Sequence, residues 1–579
     1  MILQALVKYY EDLLERGIIA KPGWGKVKIS FGLNLDCDGE IQGLFTLKTP
    51  QTLGKKTVYK PQMIEVPQPV KRSVDVKANF LCDNSTYILG IDEKGKQGRT
   101  QKCFSACKEL HTNLLSRVET DSAQAIIRFF EKWEPEKAEE NPYLVDKWKE
   151  LMAGGNILFY CNGRSVMEDL QIKECWQKYY DSADGGKEEI CMVTGKRAPI
   201  AVLHPVIRGV RGAQAMGTSL ISFNAPAFCS YEKEQGNNAP ISEYAAFAYA
   251  TALNELLGDS EHTRTIGDTT VVCWAEGGSA VYQDIGIAAM FGVSEDGGVT
   301  DQDLSMIMAK MQQGEPVMIK DELLDGKKHF YVLGLAPNAA RLSIRFSMVD
   351  SFGKILQHIN QHYERLEIVR PGFDQFLTLP IWKLLSETVN RNAKDKAPSS
   401  QMAADTLKAI LNGSRYPASL LNGVMLRIKA ECEVTRGRAA IIKAYYLRNE
   451  NKYCPKEVLE VELNEHCRNV PYTLGRLFAI LEHIQQEANQ GINATIKDKY
   501  FNAAASTPAQ IFPVLTNLAQ KHLRKMDDKR KIYFNRQIGE LSEIIGTEYP
   551  RRLNLPEQGS FQLGYYCQVQ KRFQKKEEE

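Results

Sequence analysis

The spacing of apolar positions changes period along the chain. Ile2, Leu3, Leu6, Val7, Tyr10, Leu13 and Leu14 recur on one helical face before Gly17, which predicts an amphipathic helix closed by glycine. From Val27 the period falls to two. Val27, Ile29, Phe31, Leu33 and Leu35 alternate strictly, as a half-buried strand requires. Asp38-Gly39 supplies a turn, and Ile41, Phe45 and Leu47 a partner strand. Residues 48–78 then lose periodicity. Pro61, Pro67 and Pro69 exclude a helix, so a stiff basic connection is expected, with Lys55, Lys56, Lys60, Lys71, Arg72 and Lys77 set against Glu65 and Asp75. A strand is expected from Phe80 to Gly90, helices near 101–119 and 121–133 with Asp121 as the second cap, a break at the acidic run 134–142, and a strand at Asn156–Tyr160.

Ser242 is expected to cap a helix running to Gly258, and Thr269–Trp274 reads as a strand. Phe330–Leu335 and the alternating Leu342, Ile344, Phe346 and Met348 predict a hairpin turning at Pro337-Asn338, with a helix over 352–367 packed on it and Arg341 and Arg345 on the polar side. Beyond Pro380 the pattern is mostly helical. A linker is expected at 390–400, no strand after about residue 440, and amphipathic helices at 472–488, 495–505, 509–525, 530–545 and 557–570. The fold class is therefore α+β: a large mixed N-terminal region with antiparallel hairpins and helices, then an all-helical C-terminal bundle. The expected divisions are 1–375, a helical connector at 376–456, and the bundle at 457–579.

Composition narrows the function classes. A chain of 579 residues is too long for one ordinary core. With 43% hydrophobic and 25% charged residues it is globular, and a net charge of only +2 means that any nucleic-acid surface must come from local clustering. The longest apolar runs fall short of the ~18 residues that a membrane helix needs. The first residues lack a basic region followed by an apolar core, so no signal peptide is expected. The 13 cysteines are scattered without a framework, which suits reduced thiols in a cytoplasm.

Candidate chemistry concentrates between Cys191 and Tyr231, a stretch with no long period that reads as loop on a scaffold. It carries Lys196, Arg197, Arg208 and Arg211. Gly212 and Gly217 bracket Gln214, and Ser222 and Asn224 follow. Guanidinium forks and amides grip phosphates and read base edges, although a solvated Gly-rich loop would have the same composition. A second basic cluster holds Lys521, Arg524, Lys525, Lys529, Arg530, Lys531 and Arg536 against Asp527 and Asp528, which suits either a solvated helical corner or a hold on single-stranded DNA.

No catalytic constellation stands out. His358 and His362 lie four apart on an expected helix but lack the glutamate of a zinc protease, and Cys103, Cys107 and His111 read as packing residues. His204 has no nucleophile or orienting carboxylate at a useful spacing. No Walker-type phosphate loop occurs. No metal and no cofactor is expected.

The runs MILQALVKYYEDLLERG, VPQPVKRS, NFLCDNSTYILG, VTGKRAPIAVLHP, RGVRGAQAMG, SFNAPAFCSYEKEQGNNAPISEYAAFAYATALNELL and HFYVLGLAPNAARLSIRFS, with the tail from PYTLGRLFAILE to QGSFQLGYYCQ, resemble in order the large subunit of the type I-C CRISPR surveillance complex, Cascade. Ala215 and Met216 stand where family members more often have two serines, so the glycine backbone or Gln214 must serve in their place.

This resemblance implies a non-catalytic, cytoplasmic subunit at the crRNA end that carries the 5′ handle. Such a subunit recognises the protospacer-adjacent motif in double-stranded DNA, aids duplex opening and R-loop stabilisation, and helps recruit the helicase-nuclease in antiviral defence. Its partners would be crRNA, target duplex and displaced single strand, the Cascade backbone and handle-binding subunits, and a small subunit translated from within the same gene. Met425 is too early and Met526 too late for that start, so a non-AUG codon at Val458, Val461 or Leu463 is implied. Nucleic-acid contacts are expected at Arg211, Gln214 and Asn224 with the neighbouring Lys196, Arg197, Arg208, Gly212 and Ser222; at Lys55, Lys56, Lys60, Lys71 and Arg72; and at Lys521, Arg524, Lys525, Lys529 and Arg530. The alternative from another class is a metal-dependent nuclease or RNA-processing enzyme using His204, His358 and His362.

Overall fold

A computed structural model describes residues 2–53, 56–70, 72, 76–92, 97–182, 187–293, 299–313, 315–394 and 396–573. The chain groups into two compact units. Leu3–His204 and Phe223–Ala252 form one; Pro205–Ser222 and Leu253–Glu579 form the other. About 50% of the chain is helical and 17% strand, with small sheets and a helical C-terminal region, so the fold is α+β as the sequence predicts.

In the first unit, the predicted N-terminal helix forms at Ile2–Glu15 and buries Leu6, Val7, Tyr10 and Leu13. The strands β1 (Trp24–Leu35), β2 (Ile41–Thr46), β3 (Lys48–Leu53), β4 (Lys56–Pro67), β5 (Cys82–Asn84), β6 (Asn156–Cys161) and β7 (Arg164–Ser165) build a sheet in the order β3-β4-β1-β6-β5, with β2 paired to β1 and β7 to β6. Only β1 and β6 run parallel. The alternation read in β1 holds only as far as Lys28; Ile29–Leu33 is buried on both faces. Gly32 permits this, because a Cβ there would lie 2.4 Å from Cζ of Phe45.

The expected connection at 48–78 is largely a hairpin. β3 pairs with Lys56–Pro61, and from Gln62 the same β4 changes partner to β1. Its prolines fit the strands. Pro50 sits on the edge strand β3, where a missing N–H costs little, and Pro61 sits where β4 changes partner. The strand expected over Phe80–Gly90 is also corrected. It shrinks to β5, because the Asn84 side chain caps a helical turn at Ser85–Ile88. The following helices are Gln97–Leu115 and Asp121–Lys132. The second is capped by the Thr120 hydroxyl, and Asp121 is its first residue rather than its cap. The short strands β8 (Glu188–Ile190) and β9 (Arg197–Pro199) form a separate hairpin. Ser242 caps the helix Glu243–Gly258 as expected, its hydroxyl accepting the Ala245 N–H at 3.2 Å.

The second unit is built on β10 (Arg264–Ile266), β11 (Thr269–Ala275), β14 (His329–Asn338) and β15 (Arg341–Ser351), in that antiparallel order, with β12 (Val317–Ile319) and β13 (Glu322–Leu324) paired apart from them. The β14–β15 turn is Ala339-Ala340. Pro337 and Asn338 instead pair with Leu342 and Arg341, and Ala339 takes the left-handed conformation at φ +52°. The helix Phe352–Leu366 packs Phe352, Ile355, Leu356 and Ile359 into the core. Residues 390–399 carry no helix or strand among those described, and no strand follows Ser351 among the described residues.

The helices of the second unit include Arg436–Asn449, Val470–Ala488, Ile496–Ser506, Pro508–Leu523, Asp528–Ile545 and Leu555–Lys571. One continuous cluster of buried apolar side chains runs from Ile266 to Cys567, so the sheet and these helices share a core. Val470–Ala488 and Leu555–Lys571 approach almost backbone to backbone. A Cβ on Gly475 would lie 2.0 Å from the Phe561 carbonyl oxygen, and one on Gly564 would lie 2.1 Å from that of Tyr472. Among the described residues no helix is long and apolar enough to cross a membrane.

Candidate nucleic-acid interface

The segment 205–222 is a pinned loop on the second unit. Ile207 and Thr218 exchange both backbone hydrogen bonds, at 2.8 and 2.9 Å, and close its neck. Inside the neck, Gly209, Gly212 and Gly217 take φ of +91°, +77° and +99°. At Gly217 the requirement is also steric, since a Cβ would lie 2.9 Å from Cβ of Val206. The scaffold then fixes the backbone. The Asn254 carboxamide accepts the Arg208 N–H at 2.8 Å and donates to the Val206 carbonyl at 3.0 Å. The Thr270 hydroxyl on β11 accepts the Arg211 N–H at 3.1 Å. Ser219 joins the β14–β15 turn, its carbonyl accepting the Leu342 N–H at 3.0 Å.

This anchoring leaves Arg208, Arg211, Gly212 and Gln214 exposed, and Met216 beside them is 85% exposed. Among the described residues no carboxylate pairs with Arg208 or Arg211. A fixed backbone carrying unpaired guanidinium groups and an amide can hold phosphate oxygens and base edges with little ordering cost. Ser222 is half-buried at the end of the same segment. Lys196, Arg197 and Asn224 belong to the first unit. Lys196 is exposed, and Arg197 Nε lies 3.5 Å from Glu188 Oε2 across the β8–β9 hairpin.

On the β3–β4 ribbon, Tyr59 is 65% exposed and Lys60 is exposed beside it, while Lys56 opens β4 opposite Leu53. Lys55 and Lys71 lie outside the described residues. Arg72 is already engaged. Its Nη1 donates to Asp83 Oδ1 at 2.9 Å and its Nη2 bonds to the other oxygen, while Nε donates to the Lys77 carbonyl at 2.6 Å. The guanidinium also stacks 3.8 Å from the Tyr87 ring centre. A charge held this way braces the chain around buried Asp83.

The C-terminal basic corner loses much of its excess to carboxylate partners, two of them within one helical turn and one, Glu487, distant in sequence. Arg530 pairs with Glu487 at 3.0 Å, Lys531 with Asp528 at 3.0 Å and Arg536 with Glu540 at 2.8 Å. Lys525 donates to the Asn489 carboxamide at 3.1 Å. Lys521, Arg524 and Lys529 are exposed with no carboxylate partner among the described residues. On the hairpin of the second unit, Arg345 is 2.8 Å from Asp268.

The histidines suspected of catalysis sit in hydrogen-bonded packing positions. His204 Nδ1 is 2.8 Å from the Tyr249 hydroxyl, His358 Nδ1 donates to the Leu411 carbonyl at 2.8 Å, and His362 Nδ1 is 2.6 Å from the Tyr416 hydroxyl. Burial, aided by Arg365 and Arg448, lowers the His362 pKa to about 3. His111 donates through Nδ1 to the Cys107 carbonyl at 2.7 Å and accepts the Leu81 N–H on Nε2 at 2.8 Å, which fixes one neutral tautomer. Burial lowers its pKa to about 4. Among the described residues no group of three or more His, Cys, Asp or Glu is placed to hold a metal ion.

Two further arrangements have no signal in the local sequence. His262 lies between Asp259 Oδ2 at 2.5 Å and Asp284 Oδ1 at 2.6 Å, and Asp284 also holds Lys320 at 2.8 Å. The hydrogen bond to Asp284, opposed by burial and aided by Asp259, raises the His262 pKa. Cys191 accepts N–H groups from Val193, Thr194 and Ser242 on its sulfur, so Gly195 at φ +71° closes a tight knuckle around it. Burial acts to raise that thiol's pKa, and the donors from Ser242 and Thr194 bring it down to about 7.

Compared with known families, residues 6–573 match the one described as CRISPR-associated protein (Cas_Csd1). None of the curated proteins matches the chain.

Proposed function

The chain belongs to the Csd1 family of CRISPR-associated proteins, large subunits of Cascade that work with other Cas proteins, and from that premise we propose that its loop 205–222 reads the protospacer-adjacent motif in double-stranded DNA. The observation that carries this reading is the anchored backbone of that loop, which displays Arg208, Arg211 and Gln214 with no carboxylate partner among the described residues. The guanidinium groups hold phosphates, and the Gln214 amide meets a base edge. From the minor groove such an amide separates A·T from G·C better than it orders either pair, so the motif read is loose. Guide pairing with crRNA supplies most of the specificity.

Lys56 and Lys60 on the β3–β4 ribbon contribute backbone contacts, and Lys521, Arg524 and Lys529 hold the displaced strand non-specifically. The same protein helps recruit the helicase-nuclease and breaks no covalent bond itself. Its C-terminal helices stand in for, or are separately produced as, the small subunit.

The test is binding of the assembled complex to target duplexes that differ only in the motif. Gln214→Ala is expected to level the preference among motifs. Lys56→Ala is expected to weaken binding to all of them alike and to reduce the salt slope by about one. Equal loss from both substitutions on every duplex would overturn this division of roles.

A further inference from the structure

The C-terminal helices border a half-open cavity of about 480 Å³, between Val470–Ala488, Asp528–Ile545 and Leu555–Lys571, that the proposed motif loop does not use. That volume falls within the range of small-molecule sites. Arg476 lines it and is 8% exposed. Its Nε donates to Gln568 Oε1 at 3.0 Å, and its Nη1 donates to the carbonyls of Glu465 at 3.2 Å and Asn464 at 3.4 Å. All of these acceptors are neutral, and Nη2 has no acceptor among the described residues.

The remaining charges of the lining cancel. Arg536 pairs with Glu540 at 2.8 Å, and Lys571 pairs with Glu465. The unmatched positive charge is therefore that of Arg476. Removing a guanidinium from water without a counter-charge is unfavourable, and burial accordingly lowers its pKa. An anion entering the cavity would restore the balance and use the unfilled donors. Tyr533, 55% exposed, also lines the cavity, its ring braced edge-on by Phe534 with centres 5.2 Å apart.

We propose that this cavity binds a phosphoryl group of a nucleotide, with Arg476 gripping the phosphoryl oxygens and Tyr533 offering a face to the base. The nucleotide is either free or one unit of a single strand; only the second form rests on the function proposed above. The two N–H groups of Nη2 are the donors left to meet phosphoryl oxygens, as charge-assisted hydrogen bonds, and base–aromatic stacking tolerates any sequence.

The test uses the full chain with three probes: inorganic phosphate, AMP and a fluorescent oligothymidylate. Gln568→Glu is the informative variant. It places a carboxylate where the amide oxygen already meets Arg476 Nε, so the melting temperature is expected to hold or rise while binding of AMP or the oligothymidylate falls at least about tenfold. A merely structural Arg476 would predict unchanged binding. If Gln568→Glu abolishes the melting transition, Arg536→Ala, at a side chain 80% exposed, frees Glu540 to turn toward Arg476 and carries the same expectation. Loss with AMP and phosphate assigns the site to free nucleotides, and loss with the oligothymidylate alone assigns it to a strand. Equal binding of every probe by wild type and variant, or no binding by wild type, overturns the cavity assignment. Neither result touches motif reading by the loop, which is measured separately on duplexes.

Discussion

The Thr270 hydroxyl accepts the backbone N–H of Arg211 at 3.1 Å, which ties the exposed loop to the central strand β11 of its unit. Thr270 is 1% exposed and cannot itself touch DNA. Thr270→Val keeps the shape and removes the acceptor. The expected cost is about 1 kcal/mol of stability. Duplex affinity of the assembled complex should fall about threefold with an unchanged salt slope, because no phosphate contact is deleted. Urea unfolding and binding across a salt series check the two halves of this prediction.

Close helix contact in the C-terminal region gives a sharper stability effect. A Cβ at Gly475 would overlap the Phe561 carbonyl oxygen, which is backbone and cannot swing away. Gly475→Ala should therefore destabilise the protein by about 2–3 kcal/mol despite the better helix propensity of alanine. Gly539→Ala, on a neighbouring helix with open space at its Cβ, should leave stability unchanged or slightly raised. Urea midpoints of the two variants provide the comparison.

Acid sensitivity follows from the buried histidines. His111 and His362 have pKa values lowered by burial to about 4 and about 3, whereas the unfolded value is about 6.5. Below that unfolded value the unfolded chain binds more protons than the folded one, so their contribution is full above it and is lost as pH falls toward the folded values. Each group gives a slope of up to about 1.4 kcal/mol per pH unit in that window. His111→Gln should be less stable at pH 7 yet lose less between pH 7 and 5 than wild type, as measured by denaturant unfolding. His262 works in the opposite direction. Its pKa is raised between Asp284 and Asp259, so its contribution is present at low pH and is lost as pH rises through the raised value. His262→Gln should therefore cost more at pH 6 than at pH 9.

A short product starting near Val461 would lack the helix Arg436–Asn449. In the full chain that helix packs so closely on the last one that a Cβ on Gly559 would lie 2.9 Å from Cε2 of Tyr446. The Tyr566 hydroxyl also donates to the Val369 carbonyl at 2.7 Å, outside any such product. The isolated product should therefore expose an apolar face and bind an apolar dye more strongly, per chain, than the full protein does. N-terminal sequencing of any short co-purifying species would identify its first residue.

The helices were legible in the sequence because a 3.6-residue period survives wherever one face is buried, as in Phe352–Leu366. The β3–β4 ribbon was not, because residues 48–61 carry no apolar alternation to mark a strand, and their pairing is seen only in the backbone register. The Ala339-Ala340 turn was hidden by the stronger turn signal of the Pro-Asn pair before it. At the candidate interface, glycine spacing revealed the loop that exposes Arg208 and Arg211. It could not show that Arg72 is held by Asp83, or that Glu487 neutralises Arg530. Charge counting along a chain misses carboxylates delivered by folding. For the same reason Arg476 gave no signal, since its isolation is a property of the packed helices.

Met216, exposed on the loop two residues from Gln214 and assigned no contact of its own, is the place to test the central claim. A photo-crosslinking amino acid at that position, in the assembled complex bound to target duplex, should attach to nucleotides in or next to the protospacer-adjacent motif. Attachment only to protein, or to DNA remote from the motif, would contradict the claim that this loop reads it.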